Sequence, residues 1–196
     1  MDADGARLCR GASINGQEPD ERRWNIERPR FTSWALRATW LPTPQWQAQI
    51  SYGRLESPES LHPGEDEGRF TASVAYAANG LAVTAGYSHK HRLPGRSLDA
   101  GFVEANWDLT RRHALFGRIE RVSNDELFPE GDPLHDRAFV VTKATLGYAY
   151  TIPLGGEVML AIGGSGSLYG KPDALPTAYG HHPASFTMFA KLALGN

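Results

Sequence analysis

Apolar and polar residues alternate with period two along almost the whole chain, and that limits the folds open to it more than any other feature. In WALRATWLPTPQWQAQISYG (34–53), Trp34, Leu36, Ala38 and Trp40 alternate with Ala35, Arg37 and Thr39. After Pro42-Thr43-Pro44, Trp46, Ala48, Ile50 and Tyr52 alternate with Gln47, Gln49 and Ser51. Period two puts successive side chains on opposite faces of an extended strand, whereas a helix needs a repeat near 3.6. The pattern returns over 70–76, 81–87, 101–107, 115–120, 140–150, 158–165 and 185–194, and more weakly over 6–14. Ten strands are predicted, in a single domain covering 1–196.

The connections alternate in length. Long, polar segments rich in Pro, Asp, Glu or His fall near 15–30, 54–68, 89–97, 123–136 and 170–183. Tight turns fall near 42–45, 78–80, 109–112 and 153–156, and Asn79-Gly80 is a strong hairpin signal. An antiparallel meander with long loops at one end and tight turns at the other is the pattern of an up-and-down transmembrane β-barrel. A soluble sandwich has no physical reason to sort its loops by parity.

The polar face distinguishes lipid from water as the surrounding solvent. A water-facing sheet surface carries many Lys, Glu and Asp. Here the polar positions are mostly Ala, Gly, Ser, Thr and Gln, with isolated charges at Arg37, Glu104, Arg118, Glu120, Lys143 and Lys191. Together with Gln47 and Gln49, these are expected to line a lumen, and the apolar face is expected to meet lipid. A soluble lipocalin-like barrel would turn the apolar face inward instead.

Aromatic placement agrees. The pairs Trp34/Trp40, Trp46/Tyr52 and Phe70/Tyr76 are each six residues apart, or about 20 Å along a strand. A tilt of ~35–45° reduces that to about 15 Å, short of the ~25 Å apolar band unless the rings flare toward the interfaces. Trp40, Trp46, Tyr76 and Tyr150 form the expected turn-side girdle, and Trp34, Tyr52, Tyr87 and Phe186 the loop-side one.

Composition excludes several classes. A net charge of -2 gives no basic field for nucleic acid. With 41% hydrophobic and 21% charged residues, the chain is not disordered by composition. Cys9 is the one cysteine, so an intramolecular disulfide is impossible. No run reaches the ~18–20 apolar residues of a membrane helix. MDADGARLCRG lacks the apolar core of a signal peptide, so export would require residues upstream of Met1.

Five blocks carry a likeness: NGQEPDERRWNIE (15–27), SYGRLESPESLHPGED (51–66), FVEANW (102–107), GRIERVSNDELF (117–128) and YGHHPASFTMFAKLAL (179–194). With them the chain resembles an uncharacterised family of proteobacterial outer-membrane β-barrel proteins, over nearly its whole length. The resemblance implies a porin-like barrel in the bacterial outer membrane. It also implies that this chain corresponds to the C-terminal part of longer members, which have a signal peptide and further strands upstream. It supplies a location and a fold, without an activity. Leu194-Gly195-Asn196 departs from the terminal aromatic that barrel-assembly machinery reads.

Candidate sites have competing explanations. Glu104, Arg118 and Glu120 fall on the same face of neighbouring strands, where they form either a charged constriction or a salt-bridged filling, with Arg37, Lys143 and Lys191 as further candidates. His62, His89, His91, His135, His181 and His182 lie toward the long-loop end, but no spacing marks a metal site. Residues 54–69 carry a net of -3 and 123–137 a net of -4, whereas 89–97 is basic through Lys90, Arg92 and Arg96. These loops suit either divalent-cation and lipopolysaccharide contacts or mutual pairing at a solvated surface. Asp125, His135, Asp136 and His181 are the groups a rim-site hydrolase would use, although no motif assigns a catalytic residue. Nothing points to a cofactor. The expected surroundings are outer-membrane lipid, lipopolysaccharide and small solutes, and the expected role is a passive conduit or structural surface protein.

Overall fold

The structure is a computed structural model and describes residues 5–17, 24, 31–59, 64–129, 131–172, 175, 180 and 182–194. The ten strands are β1 (Ala6–Ile14), β2 (Ser33–Thr43), β3 (Trp46–Leu55), β4 (Asp66–Ala78), β5 (Leu81–Leu93), β6 (Ser97–Asp108), β7 (His113–Asn124), β8 (Phe139–Gly155), β9 (Val158–Gly170) and β10 (Ala184–Leu194). They form one antiparallel up-and-down sheet in chain order, with β1 and β10 as its terminal strands. There is no helix among the described residues. The all-β antiparallel meander expected from the alternation is therefore the observed architecture.

Local chemistry explains the turns. Asn79 and Gly80 have φ of 52° and 77°, the left-handed pair of a two-residue hairpin whose twist matches its strands. Gly155 and Gly156 also take positive φ, next to a register shift between Pro153 and Gly155. A second shift, between Trp40 and Thr43, absorbs Pro42 at the end of β2, where the lost N–H would otherwise leave a gap in the ladder.

One connection departs from the expected lengths. The polar stretch 89–97 reads as a long loop, yet β5 runs to Leu93 and β6 begins at Ser97, so only 94–96 remain as the connection. The backbone N–H of Arg92 donates to the Arg96 carbonyl at 3.0 Å. Charge in this stretch signals side chains with distant ion-pair partners, not a loop. The strict alternation of long and short connections fails at this hairpin.

The chain divides into two compact units, one of Met1–Val74 with Gly86–Ala100, the other of Ala75–Ala85 with Gly101–Asn196. Among the described residues, the buried apolar side chains are Leu98, Phe139 and Leu175. Trp34, Trp40, Trp46 and Tyr52 are 41–48% exposed, and Leu146, Leu168, Phe186, Met188, Leu192 and Leu194 are exposed further. Tyr87 is exposed as well, whereas Tyr76 and Tyr150 are half-buried.

In the second unit, glycine admits rings to the face opposite these exposed residues. Phe116 of β7 stands opposite Gly147 of β8, and Phe189 of β10 opposite Gly163 of β9. The two rings meet at 6.0 Å between centroids. A Cβ on Gly147 would overlap the Phe116 ring and lie 2.9 Å from the Gly164 carbonyl oxygen. A Cβ on Gly163 would overlap Phe189. The GGSGS run (163–167) is thus closely packed at Gly163 and Gly164, whereas a Cβ on Gly166 would meet open space.

Candidate functional site

In the first unit, strand parity gathers charge on one face of β4 and β5. Glu67 and Arg69 share a face of β4, and Lys90 and Arg92 share a face of β5. The β3–β4 connection adds Glu59. Lys90 Nζ donates to Glu59 Oε1 at 2.6 Å and lies 3.3 Å from Glu67 Oε1. Arg92 donates from Nη2 to Glu59 Oε2 at 2.8 Å, with Nε 3.8 Å from Glu67 Oε1. Arg69 donates from Nε to Glu67 Oε2 at 2.7 Å. Glu67, Arg92 and Glu59 are only 1%, 5% and 8% exposed.

Burial alone would raise the Glu59 carboxyl. The hydrogen bond from Lys90, with the positive charges of Lys90 and Arg92, outweighs it and holds the group at about 2, against an ordinary 4.5. The same connection is tied at its base. Arg54 donates to Asp66 at 2.9 Å, Asp66 accepts the Ser57 N–H at 3.3 Å, and the buried Ser33 hydroxyl accepts the Glu56 N–H at 3.0 Å. The mutual pairing of the acidic 54–69 and basic 89–97 stretches, one of the two readings of the sequence, is what forms, but Glu59, Glu67 and Arg92 are buried and not at a solvated surface. The available signal was the opposite charge of 54–69 and 89–97.

In the second unit the expected trio does assemble. Arg118 Nη1 donates to Glu104 Oε2 at 2.8 Å, and Nε to Glu120 Oε2 at 2.9 Å. The guanidinium also lies 4.1 Å from the centre of the Phe102 ring. The side chains of Arg118 and Glu104 remain 41% and 44% exposed, which makes this a wet, screened pairing. Nearby, Thr145 and Ser167 join their hydroxyls at 2.8 Å.

The other charged positions do not join that trio. Lys143 sits over the Tyr169 ring at 5.5 Å. Lys191 borders a recess beside the tight turns with Arg111 and Arg112. Arg37, in the first unit, stands opposite Arg10 of β1 and Ser51 of β3. Gln49 is opposite Thr39, and Gln47 lies beside the β2–β3 register shift. Ser51 shares a 2.6 Å hydrogen bond with Thr71.

No family model matches the chain, and no curated protein matches it.

His89, His91 and His135 have local partners. His89 and His91 stack with 6.4 Å between ring centroids. His89 Nδ1 lies 2.8 Å from Asp99 Oδ1, the Tyr87 hydroxyl donates to the same oxygen, and His91 pairs with the Ser97 hydroxyl at 2.7 Å. Among the described residues, no three His, Cys, Asp or Glu side chains form a metal-holding group. His135 turns Nδ1 to the Phe128 carbonyl oxygen at 3.1 Å and Nε2 toward Asp136 at 3.5 Å. Both nitrogens therefore face oxygens of their own loop. Asp125 is 2% exposed; His62 and His181 lie outside the described residues.

Proposed function

We propose that the chain forms wall of a porin-like outer-membrane β-barrel, a passive conduit or structural surface protein. The apolar face meets lipid, and the polar face borders the solute path. The observation that carries this reading is the inverted distribution of apolar and charged groups. Large aromatic and aliphatic side chains stand exposed, whereas Glu67, Arg92 and Glu59 are buried and paired. A water-soluble chain hides its large apolar residues and leaves Glu and Arg outside. The resemblance of the five sequence blocks to proteobacterial outer-membrane barrels points the same way.

In this setting Trp34 and Tyr52, tilted against each other at 5.8 Å, belong to the loop-side belt, and Trp40 and Trp46 to the turn side. The Arg118 trio and the Glu59 clamp supply charge along the polar face, where a conduit sets its preference among solutes. A lipocalin-like binder would have enclosed the tryptophan face.

The test uses the full-length protein folded into vesicles of brominated lipid. Tryptophan emission is expected to be quenched by the bromine atoms and shielded from aqueous iodide. Iodide quenching together with an aqueous fraction stable without detergent would sink the membrane reading. Planar-bilayer recording then separates a conduit, which conducts, from a structural barrel, which does not.

A further inference from the structure

We propose that the turn-side recess of the second unit binds a multiply charged oxyanion of the phosphate or polycarboxylate class, drawn from solution. The recess encloses about 580 Å³ and is bordered by the Asn79–Gly80 turn, Asp108, Arg111, Arg112 and Lys191. This is within the ~300–1,000 Å³ range of small-ligand sites.

The charges point to an anion. Arg111, Arg112 and Lys191 bring three cations against the single carboxylate of Asp108, a net of two positive charges. Asp108 Oδ1 already accepts from Asn106 Nδ2 at 3.2 Å. Among the described residues, none of the three cations has an ion pair. Like charges gathered in this way repel, and an entering oxyanion converts the repulsion into attraction. Guanidinium forks match phosphate and carboxylate oxygens in pairs, and an ammonium adds a compact third charge.

The turn is also held in place. Thr110 Oγ1 accepts the N–H groups of Arg112 and His113, each at 3.1 Å. The Thr151 N–H donates to the Arg112 carbonyl at 2.8 Å, tying the turn to β8. Lys191 projects from β10 opposite Ala161, a residue small enough to leave the space open. A backbone fixed before the ligand arrives reduces the ordering cost of binding. The proposal concerns a site neither needed nor implied by passive conduction.

The experiment titrates inorganic pyrophosphate into the full-length protein folded in zwitterionic micelles and reads binding by calorimetry. Saturable binding that weakens steeply with added salt is expected. The R111Q/R112Q pair should weaken it by about tenfold or more, and K191Q by about threefold to tenfold. The R111K/R112K pair keeps the charge but loses the paired guanidinium contacts, so its affinity should fall between those of the parent and R111Q/R112Q, and each variant's fold is checked by heat-modifiable migration. Absence of saturation, unchanged binding in R111Q/R112Q, or an equal loss in R111K/R112K would each overturn the proposal. A second arm repeats the titration in phosphatidylcholine nanodiscs with and without phosphatidylglycerol. Displacement of pyrophosphate by the anionic lipid would assign these cations to a headgroup and overturn the soluble source. Binding in micelles does not depend on conductance, so an electrically silent protein that still binds pyrophosphate sinks only the conduit.

Discussion

Replacing Arg92 with methionine keeps most of the side-chain volume and removes the guanidinium from the buried cluster of the first unit. Its Nη2 is 2.8 Å from Glu59 Oε2, and the two side chains are only 6% and 10% exposed. At a charge separation near 4 Å and an effective dielectric of about 20, the lost attraction is about 4 kcal/mol. Breaking buried pairs costs a similar ~3–5 kcal/mol, because the remaining charge has no compensation. Lys90 still reaches both carboxylates, which places the expected loss near 3 kcal/mol. The assay is urea unfolding of the full-length protein in lipid vesicles, followed by tryptophan emission. Glu59 is held at about 2, below its ordinary 4.5, so its contribution is complete above pH 4.5 and fades as the pH falls toward 2. The cost of R92M should therefore shrink across that same window. In an E59Q background, R92M should cost at least about 1.5 kcal/mol less than in the parent. A loss below about 1 kcal/mol at pH 7, typical of an exposed pair, would refute the clamp.

Two further outcomes follow from the second unit. Arg118→Met removes pairings to Glu104, 44% exposed, and Glu120, 24% exposed, from an arginine that is itself 41% exposed, so urea unfolding should register a loss of about 1 kcal/mol or less; a loss of 3 kcal/mol would mean the trio is far drier than its exposure. Gly147→Val puts a branched side chain where the Phe116 ring lies, with an expected loss of about 1–3 kcal/mol or more. A Phe116→Leu change made alongside it should recover part of that loss, and no recovery would show that the clash with the Gly164 carbonyl dominates.

The legible parts of the fold were those set by neighbours in sequence. Trp34, Leu36 and Trp40 against Arg37 and Thr39 define a strand without reference to anything distant, and Asn79-Gly80 defines a hairpin from its own backbone preferences. The Glu104–Arg118–Glu120 trio was legible because its members occupy matching faces of adjacent strands. The stretch around Lys90 and Arg92 was misread because their partners, Glu59 and Glu67, come from the previous hairpin, more than twenty residues earlier. A local window reads such charges as solvent-seeking, and only the folded sheet supplies the opposite charge. The recess at Arg111 and Arg112 went unnoticed for the same reason, since Lys191 joins them through two intervening strands.

The ring-over-glycine contacts also act as keys for strand alignment. Sheets rich in Ala, Gly, Ser and Thr offer little to penalise a slip of two residues, which keeps every side chain on its proper face. Such a slip would move Phe189 from Gly163 onto Ala161 or Ser165, and Phe116 from Gly147 onto Thr145 or Ala149. Each alternative has a Cβ where the ring must lie. With one key between β7 and β8 and the other between β9 and β10, misaligned pairings on both sides of the β8–β9 hairpin are penalised.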